Sequence, residues 1–76
     1  PRRVILLVED DAEVRASLGA AVAGPDDVLL TATTGAEALL RASRHPPDVV
    51  VLDLGLPDMD GAEVCARLRH WSQAPI

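Results

Sequence analysis

Two runs along the chain are apolar at every position. Val4-Ile5-Leu6-Leu7-Val8 and Val49-Val50-Val51-Leu52 consist of β-branched residues and Leu, and acidic residues follow each of them. A run of strand length with no polar side has nothing to offer water, which is the pattern of a strand buried on both faces of a parallel sheet. Val28-Leu29-Leu30-Thr31-Ala32-Thr33 is a weaker third candidate. Between these runs the apolar spacing turns helical. Val14, Leu18, Ala21 and Val22 fall at i, i+4, i+7 and i+8 ahead of Gly24-Pro25, a stop signal. Leu39 and Leu40 lie in a second predicted helix, opened by Thr34 with Glu37 in capping-box spacing and closed before Pro46-Pro47. Val64, Leu68 and Trp71 share one face of a third, where Asp60 and Glu63 repeat that spacing. The predicted order is βαβαβα, which implies right-handed βαβ units, a parallel sheet and helices on its faces.

Composition narrows this picture. The chain has 76 residues, 49% of them apolar, with a single Trp as its only aromatic. So short a chain is at most one small domain, and its aliphatic residues fill volume in small units, so marginal stability is expected. Twelve acidic residues against seven Arg and no Lys leave a net charge of −5. That balance argues against nucleic acid or an anionic membrane surface as the main partner of this segment. The longest unbroken apolar stretch is Val4–Val8, too short to span a bilayer, and no signal-peptide pattern is present, so a soluble chain is expected. The lone Cys65 has no internal disulfide partner, which favours a reducing compartment and hence the cytoplasm. The chain opens on Pro1 and stops at Ala74-Pro75-Ile76, where an apolar segment starts. It is therefore expected to be a piece of a longer domain.

In doubly wound sheets ligands bind outside the carboxyl ends of the strands. Glu9, Asp10 and Asp11 follow the first run, and Asp53 follows the Val49–Leu52 run. If those strands are neighbours, three or four carboxylates meet at one edge and repel one another. Oxygen-only ligands at that density suit Mg²⁺. A plainer account remains: Asp10 and Asp11 cap a helix, Asp11 above all, and Asp53 sits at a turn.

Val8-Glu9-Asp10-Asp11, together with Leu52-Asp53-Leu54-Gly55-Leu56-Pro57-Asp58-Met59-Asp60-Gly61, resembles the receiver domain of bacterial two-component response regulators. The spacing of Asp53, Pro57 and Gly61 is the specific part of the match. The resemblance implies a flavodoxin-like (CheY-like) doubly wound α/β fold. Residues 1–76 would be its N-terminal part, truncated after the third βα unit at the start of a fourth strand. It implies that Asp53 is the phosphoacceptor for a sensor histidine kinase. It also implies that Asp10 and Asp53 bind Mg²⁺, with Glu9 helping through water and the Gly55 carbonyl completing the protein ligands. Pro57 and Gly61 would have backbone roles. The last third, from Leu52 through Leu68-Arg69 and Trp71-Ser72 to Pro75, is similar to the narrower KdpE-type family of potassium-transport gene regulators. That likeness implies a KdpD-type kinase partner and a DNA-binding output domain beyond this chain, controlling transcription.

Family members also carry a Ser or Thr after strand four and a Lys after strand five, and this chain contains no Lys. The uncovered edge of the third run and the bare face of the first helix then predict self-association. Two alternatives stand beside signalling: an assembly module without phosphoryl chemistry, and a Mg²⁺-dependent haloacid dehalogenase-type phosphatase. The phosphatase requires a second Asp where Gly55 stands. Remaining candidates read as structural. His45 and His70 lie near helix ends, Cys65 and Trp71 extend packing faces, and Asp26 and Asp27 look like solvated turn charge.

Overall fold

The computed structural model describes residues 2–70 and 72–76. All three aliphatic runs form strands, β1 (Val4–Val8), β2 (Val28–Ala32) and β3 (Val49–Leu52), alternating with helices α1 (Ala12–Val22), α2 (Gly35–Arg44) and α3 (Gly61–Leu68). The strands are parallel in the order β2-β1-β3. Central β1 has a neighbour on each edge and helices on each face. It is apolar throughout for that reason, and Ile5, Leu6, Leu7 and Val8 are each no more than 2% exposed.

The first crossover leaves β1 for β2, and the second returns past β1 to β3. Right-handed crossovers running in opposite directions place their helices on opposite faces. Accordingly α1 lies over Leu7 and Leu29, approaching so closely that a Cβ on Gly19 would stand 3.0 Å from Leu29 Cδ2. On the other face α2 and α3 contribute Ala38, Ala42, Val64 and Leu68 to a core built on Leu6, Val8, Ala32 and Val50.

Two helices depart from the pattern of apolar spacing. The buried stripe of α2 is Gly35, Ala38 and Ala42. Small residues let the helix axis approach the sheet, so Leu39 reaches only the rim of the core and Leu40 points outward. On α1 only Gly19 is buried; Leu18 and Val22 are half-covered, while Val14 and Ala21 are exposed. Trp71, assigned to the stripe of α3, lies outside the described residues. The outer edge of β3 is not wholly unpaired either, because the Val50 N–H donates to the Pro75 carbonyl at 2.8 Å. Pro75 therefore lies against that edge.

The caps follow residue chemistry. Asp11, Thr34 and Asp60 are the N-caps of α1, α2 and α3. The capping boxes are incomplete, however. The Glu37 carboxylate accepts from the Thr33 N–H at 2.7 Å, one residue before the expected donor, and Glu63 turns instead to Arg67. Asp27 corrects its assignment as solvated charge. Its two carboxylate oxygens take the Arg3 Nε and Nη2 at 3.3 and 3.0 Å, tying the chain before β1 to the start of β2. This pairing holds the Asp27 carboxyl below the usual range, and the Gly24 N–H adds to it.

Leu6 is fully buried at the centre of the sheet. Leu6→Ala should destabilise the fold by about 3 kcal/mol, the usual result when a core Leu leaves a cavity. Such a loss is a large share of the stability of a small domain. Urea denaturation followed by circular dichroism measures it, with a lower midpoint and an unchanged slope as the expected result.

Candidate functional site

Register assembles the site. Val8 pairs with Leu52 at the last rung of the β1–β3 ladder. One residue further, the Asp53 N–H donates to the Val8 carbonyl and the Glu9 N–H to the Ala32 carbonyl, both at 3.0 Å. The ladders thus continue into the first acidic residue after each run. Glu9 is 7% exposed, the one buried charged residue among those described, while Asp53 is half-buried and Asp10 exposed. Carboxylate oxygens of Glu9, Asp10 and Asp53 all lie within 4.8 Å of one another. The cluster sits where the strand order reverses direction, the place at which doubly wound sheets bind ligands.

Three carboxylates so close do not all ionise freely. The Glu9 carboxyl is pushed up, first by its hydrogen bond to Asp53, then by burial and by the charges of Asp53, Asp10 and Asp11. The Asp53 carboxyl is held below the usual range, chiefly by the Gly55 N–H, which donates to Oδ1 at 3.2 Å, and next by Glu9. Of the pair, Asp53 loses its proton first and Glu9 keeps its proton longest. The donor set consists of oxygens only and is anionic, which fits a hard divalent cation such as Mg²⁺.

The acidic residues divide between cap, turn and cluster. Asp11 is the cap, its Oδ1 accepting from the Glu13 and Val14 N–H groups at 2.9 and 3.0 Å. Asp10 is left to the cluster. Asp53 does belong to a turn, through the Gly55 N–H, and also to the cluster. Gly55 meets Asp53 through its N–H. His45 caps the C-terminus of α2, His70 is exposed beyond α3, and neither joins the acids. Cys65 is half-buried on α3.

The loop from Asp53 to Asp60 is fixed at several points. Leu56 is buried in the core, and the Gly61 N–H closes back onto the Leu54 carbonyl at 3.0 Å. A Cβ on Gly61 would lie 2.7 Å from Leu54 Cα and 2.9 Å from the Asp53 carbonyl, so glycine is required by close approach of backbone. Two further residues escape a reading of spacing. Arg15 of α1 donates from Nη1 to the Glu9 carbonyl at 3.0 Å. Asp58 accepts from the Gly35 and Ala36 N–H groups at 2.7 and 2.9 Å, capping a helix that begins 23 residues earlier. The one available hint was that Asp58 has no helix of its own to cap, since Asp60 already serves α3.

Comparison with known proteins agrees with this geometry. The chain is 44% identical over 73 residues to the transcriptional regulatory protein KdpE of Mycobacterium tuberculosis, covering 96% of this chain and 32% of that protein. Identity to the KDP operon transcriptional regulatory protein KdpE of Escherichia coli is 42% over 72 residues, covering 95% and 32%. The chain thus spans about a third of the length of these curated relatives. Among solved structures, the BeF3-activated N-terminal receiver domain of Klebsiella pneumoniae RstA superposes with a TM-score of 0.87 at 36% identity, covering 97% of this chain and 63% of that one. The model of the response regulator receiver domain family matches residues 5–76. With a 2-1-3 parallel sheet, an acidic trio at its carboxyl edge and that match, the chain belongs to the response regulator receiver domain family.

Proposed function

We propose that Asp53 accepts a phosphoryl group from the phosphohistidine of a sensor histidine kinase. Residues 1–76 would form the N-terminal part of a receiver domain, from β1 to the start of a fourth strand, and that receiver would control a downstream output. The observation that carries this reading is the meeting of Glu9, Asp10 and Asp53 at the carboxyl edge of adjacent parallel strands. A carboxylate oxygen of Asp53 attacks phosphorus as the P–N bond of phosphohistidine breaks, leaving its electron pair on the imidazole and an acyl phosphate on Asp53. The Gly55 N–H steadies Oδ1 and keeps Asp53 ionised for that attack. Uncompensated carboxylates would repel an incoming phosphoryl group. Asp10 and Asp53, the Gly55 carbonyl and, through water, Glu9 are the residues that would hold Mg²⁺. The ion's contribution when bound is to neutralise charge on the phosphoryl oxygens.

The chain turns over no separate substrate in this scheme, only its own phosphoryl group. Transcription is the output suggested by the names of the relatives, and a potassium-sensing KdpD-like kinase the partner suggested by the two KdpE proteins. Contact with DNA would then fall to an output domain outside residues 1–76, and the setting would be cytoplasmic. No helix among the described residues is long and apolar enough to cross a membrane. The haloacid dehalogenase alternative loses support because Gly55, which holds Asp53, stands where its acid-base Asp is needed. Two observations favour the assembly alternative. Val14 and Leu54 are 42% and 69% exposed, and among the described residues only Val50 of the outer β3 edge is seen to pair, with Pro75.

Backbone NMR with Mg²⁺ and beryllofluoride, a phosphoryl mimic, separates phosphoacceptance from assembly alone. Shifts should centre on Asp53 and its loop and vanish in Asp53→Asn; assembly alone predicts none. The isolated 76-residue chain should also sediment as more than a monomer, and a stable, cooperative monomer would refute that expectation.

The acids predict a pH dependence as well. Because the folded-state Glu9 carboxyl titrates above its unfolded value, its favourable contribution is present at low pH and is lost as pH rises through the raised value. Asp53 has the opposite sign, its contribution being present above its unfolded value and lost as pH falls. Without Mg²⁺, Glu9→Gln should therefore raise the melting temperature once pH exceeds the Glu9 value. The same variant should weaken Mg²⁺ binding by about tenfold. Thermal melts across pH with and without Mg²⁺ test both, and an unchanged melting temperature at high pH would contradict the first.

A further inference from the structure

Asp58 binds a helix to which it does not belong. Each of its carboxylate oxygens takes one backbone N–H of α2, Oδ1 from Gly35 at 2.7 Å and Oδ2 from Ala36 at 2.9 Å. Helix α2 already has its own cap, the Thr34 hydroxyl, which accepts from the Glu37 N–H at 3.1 Å. Between them Thr34 and Asp58 satisfy the first three orphan N–H groups of that helix, and both Asp58 oxygens are occupied by the N–H groups of Gly35 and Ala36. These bonds hold the Asp58 carboxyl below its ordinary range.

The next residue reinforces the junction from the apolar side. A Cβ on Gly35 would collide with Met59 Cγ, stand 2.8 Å from Met59 Sδ and come within 3.0 Å of Val64 Cγ2. Met59 thus occupies the notch that a glycine at the start of α2 leaves open, and it packs on the core. A salt-insensitive apolar contact and a charged double hydrogen bond bind the same two segments side by side. The loop they secure is the one whose Gly55 N–H holds the Asp53 carboxylate.

We propose that Asp58 is a positioning residue for Asp53, clamping the Asp53–Asp60 loop to the start of α2 so that Gly55 is held where it orients the Asp53 carboxylate. The proposal rests on the phosphoacceptor reading for its kinetic consequence and on geometry alone for its structural one. Loosening the clamp frees the loop between buried Leu56 and the Asp60 cap, the stretch that leads back to Gly55.

Thr34→Ala is the informative control, because it weakens the cap of the same helix without releasing the loop. In the full-length protein, Asp58→Ala should shift the Gly55 amide resonance. It should also slow aspartyl phosphate formation from acetyl phosphate and Mg²⁺ by about tenfold, the scale expected from misplacing a reacting group. Thr34→Ala should leave the Gly55 resonance in place and change the rate by less than about twofold. Asp58→Asn, which keeps one acceptor oxygen, should move both readouts in the same direction by less, and it serves if Asp58→Ala does not fold. Equal effects of the Asp58 and Thr34 variants, or a Gly55 resonance unmoved by either Asp58 variant, would overturn the proposal and leave Asp58 a helix cap. If the unsubstituted protein takes up no phosphoryl group at Asp53, the phosphoacceptor reading fails instead, and the Gly55 comparison still decides the positioning role.

Discussion

Mutual repulsion among three carboxylates is the constraint around which this fold is arranged. Parallel pairing of β1 with β3 ends at Val8 and Leu52, and the residues that come next are acids. No local preference of Glu9, Asp10 or Asp53 brings them within 4.8 Å of one another. They are held there by the aliphatic ladder behind them, whose central strand is withdrawn from water from Ile5 to Val8. Apolar burial is non-directional and sums over many contacts, so it can hold a few like charges together at one end of a sheet. The raised Glu9 carboxyl reflects its hydrogen bond to Asp53, its burial and the neighbouring charges, whereas Asp53 is lowered chiefly by the Gly55 N–H.

Held acids alone do not make a site, because Asp53 lies at the start of an eight-residue connection to α3. Short-range packing supplies the order there. Leu56 enters the core, Gly61 admits the backbone of Leu54, and Asp58 with Met59 reaches the start of α2. Each fastening uses a different kind of force: apolar burial, backbone closeness and charge-assisted hydrogen bonding. A change that weakens one loosens the loop at that point, and the placement of Gly55 depends on all of them together.

What could be read from the chain followed from how local each cause is. Uninterrupted aliphatic runs of four or five residues identify β1 and β3, and the rule of opposite-face crossovers then leaves little freedom in topology. Glu9, Asp10 and Asp53 were legible because a parallel sheet places strand ends together, and Asp11 because a cap acts within its own turn. Asp58 and Asp27 were not legible in the same way. Their partners are 23 and 24 residues distant, and nothing in the spacing of charges marks those pairs. Leu39 and Leu40 were placed correctly in α2, but its buried stripe was not legible, because close helix-to-sheet packing selects Ala38 and Ala42 over the larger Leu40.

The same repulsion links occupation of the site to stability of the fold. Anything that binds the folded acids and not the unfolded chain stabilises the fold by mass action, and a cation among three carboxylates also removes an unfavourable term already present. With α1 burying only Gly19 among its described residues, that term is not negligible beside the total. Neutralising Asp53 would relieve the strand ends but remove the group proposed to react, while leaving it charged keeps the repulsion. A divalent cation bound at the carboxyl edge would therefore stabilise the fold while leaving Asp53 charged.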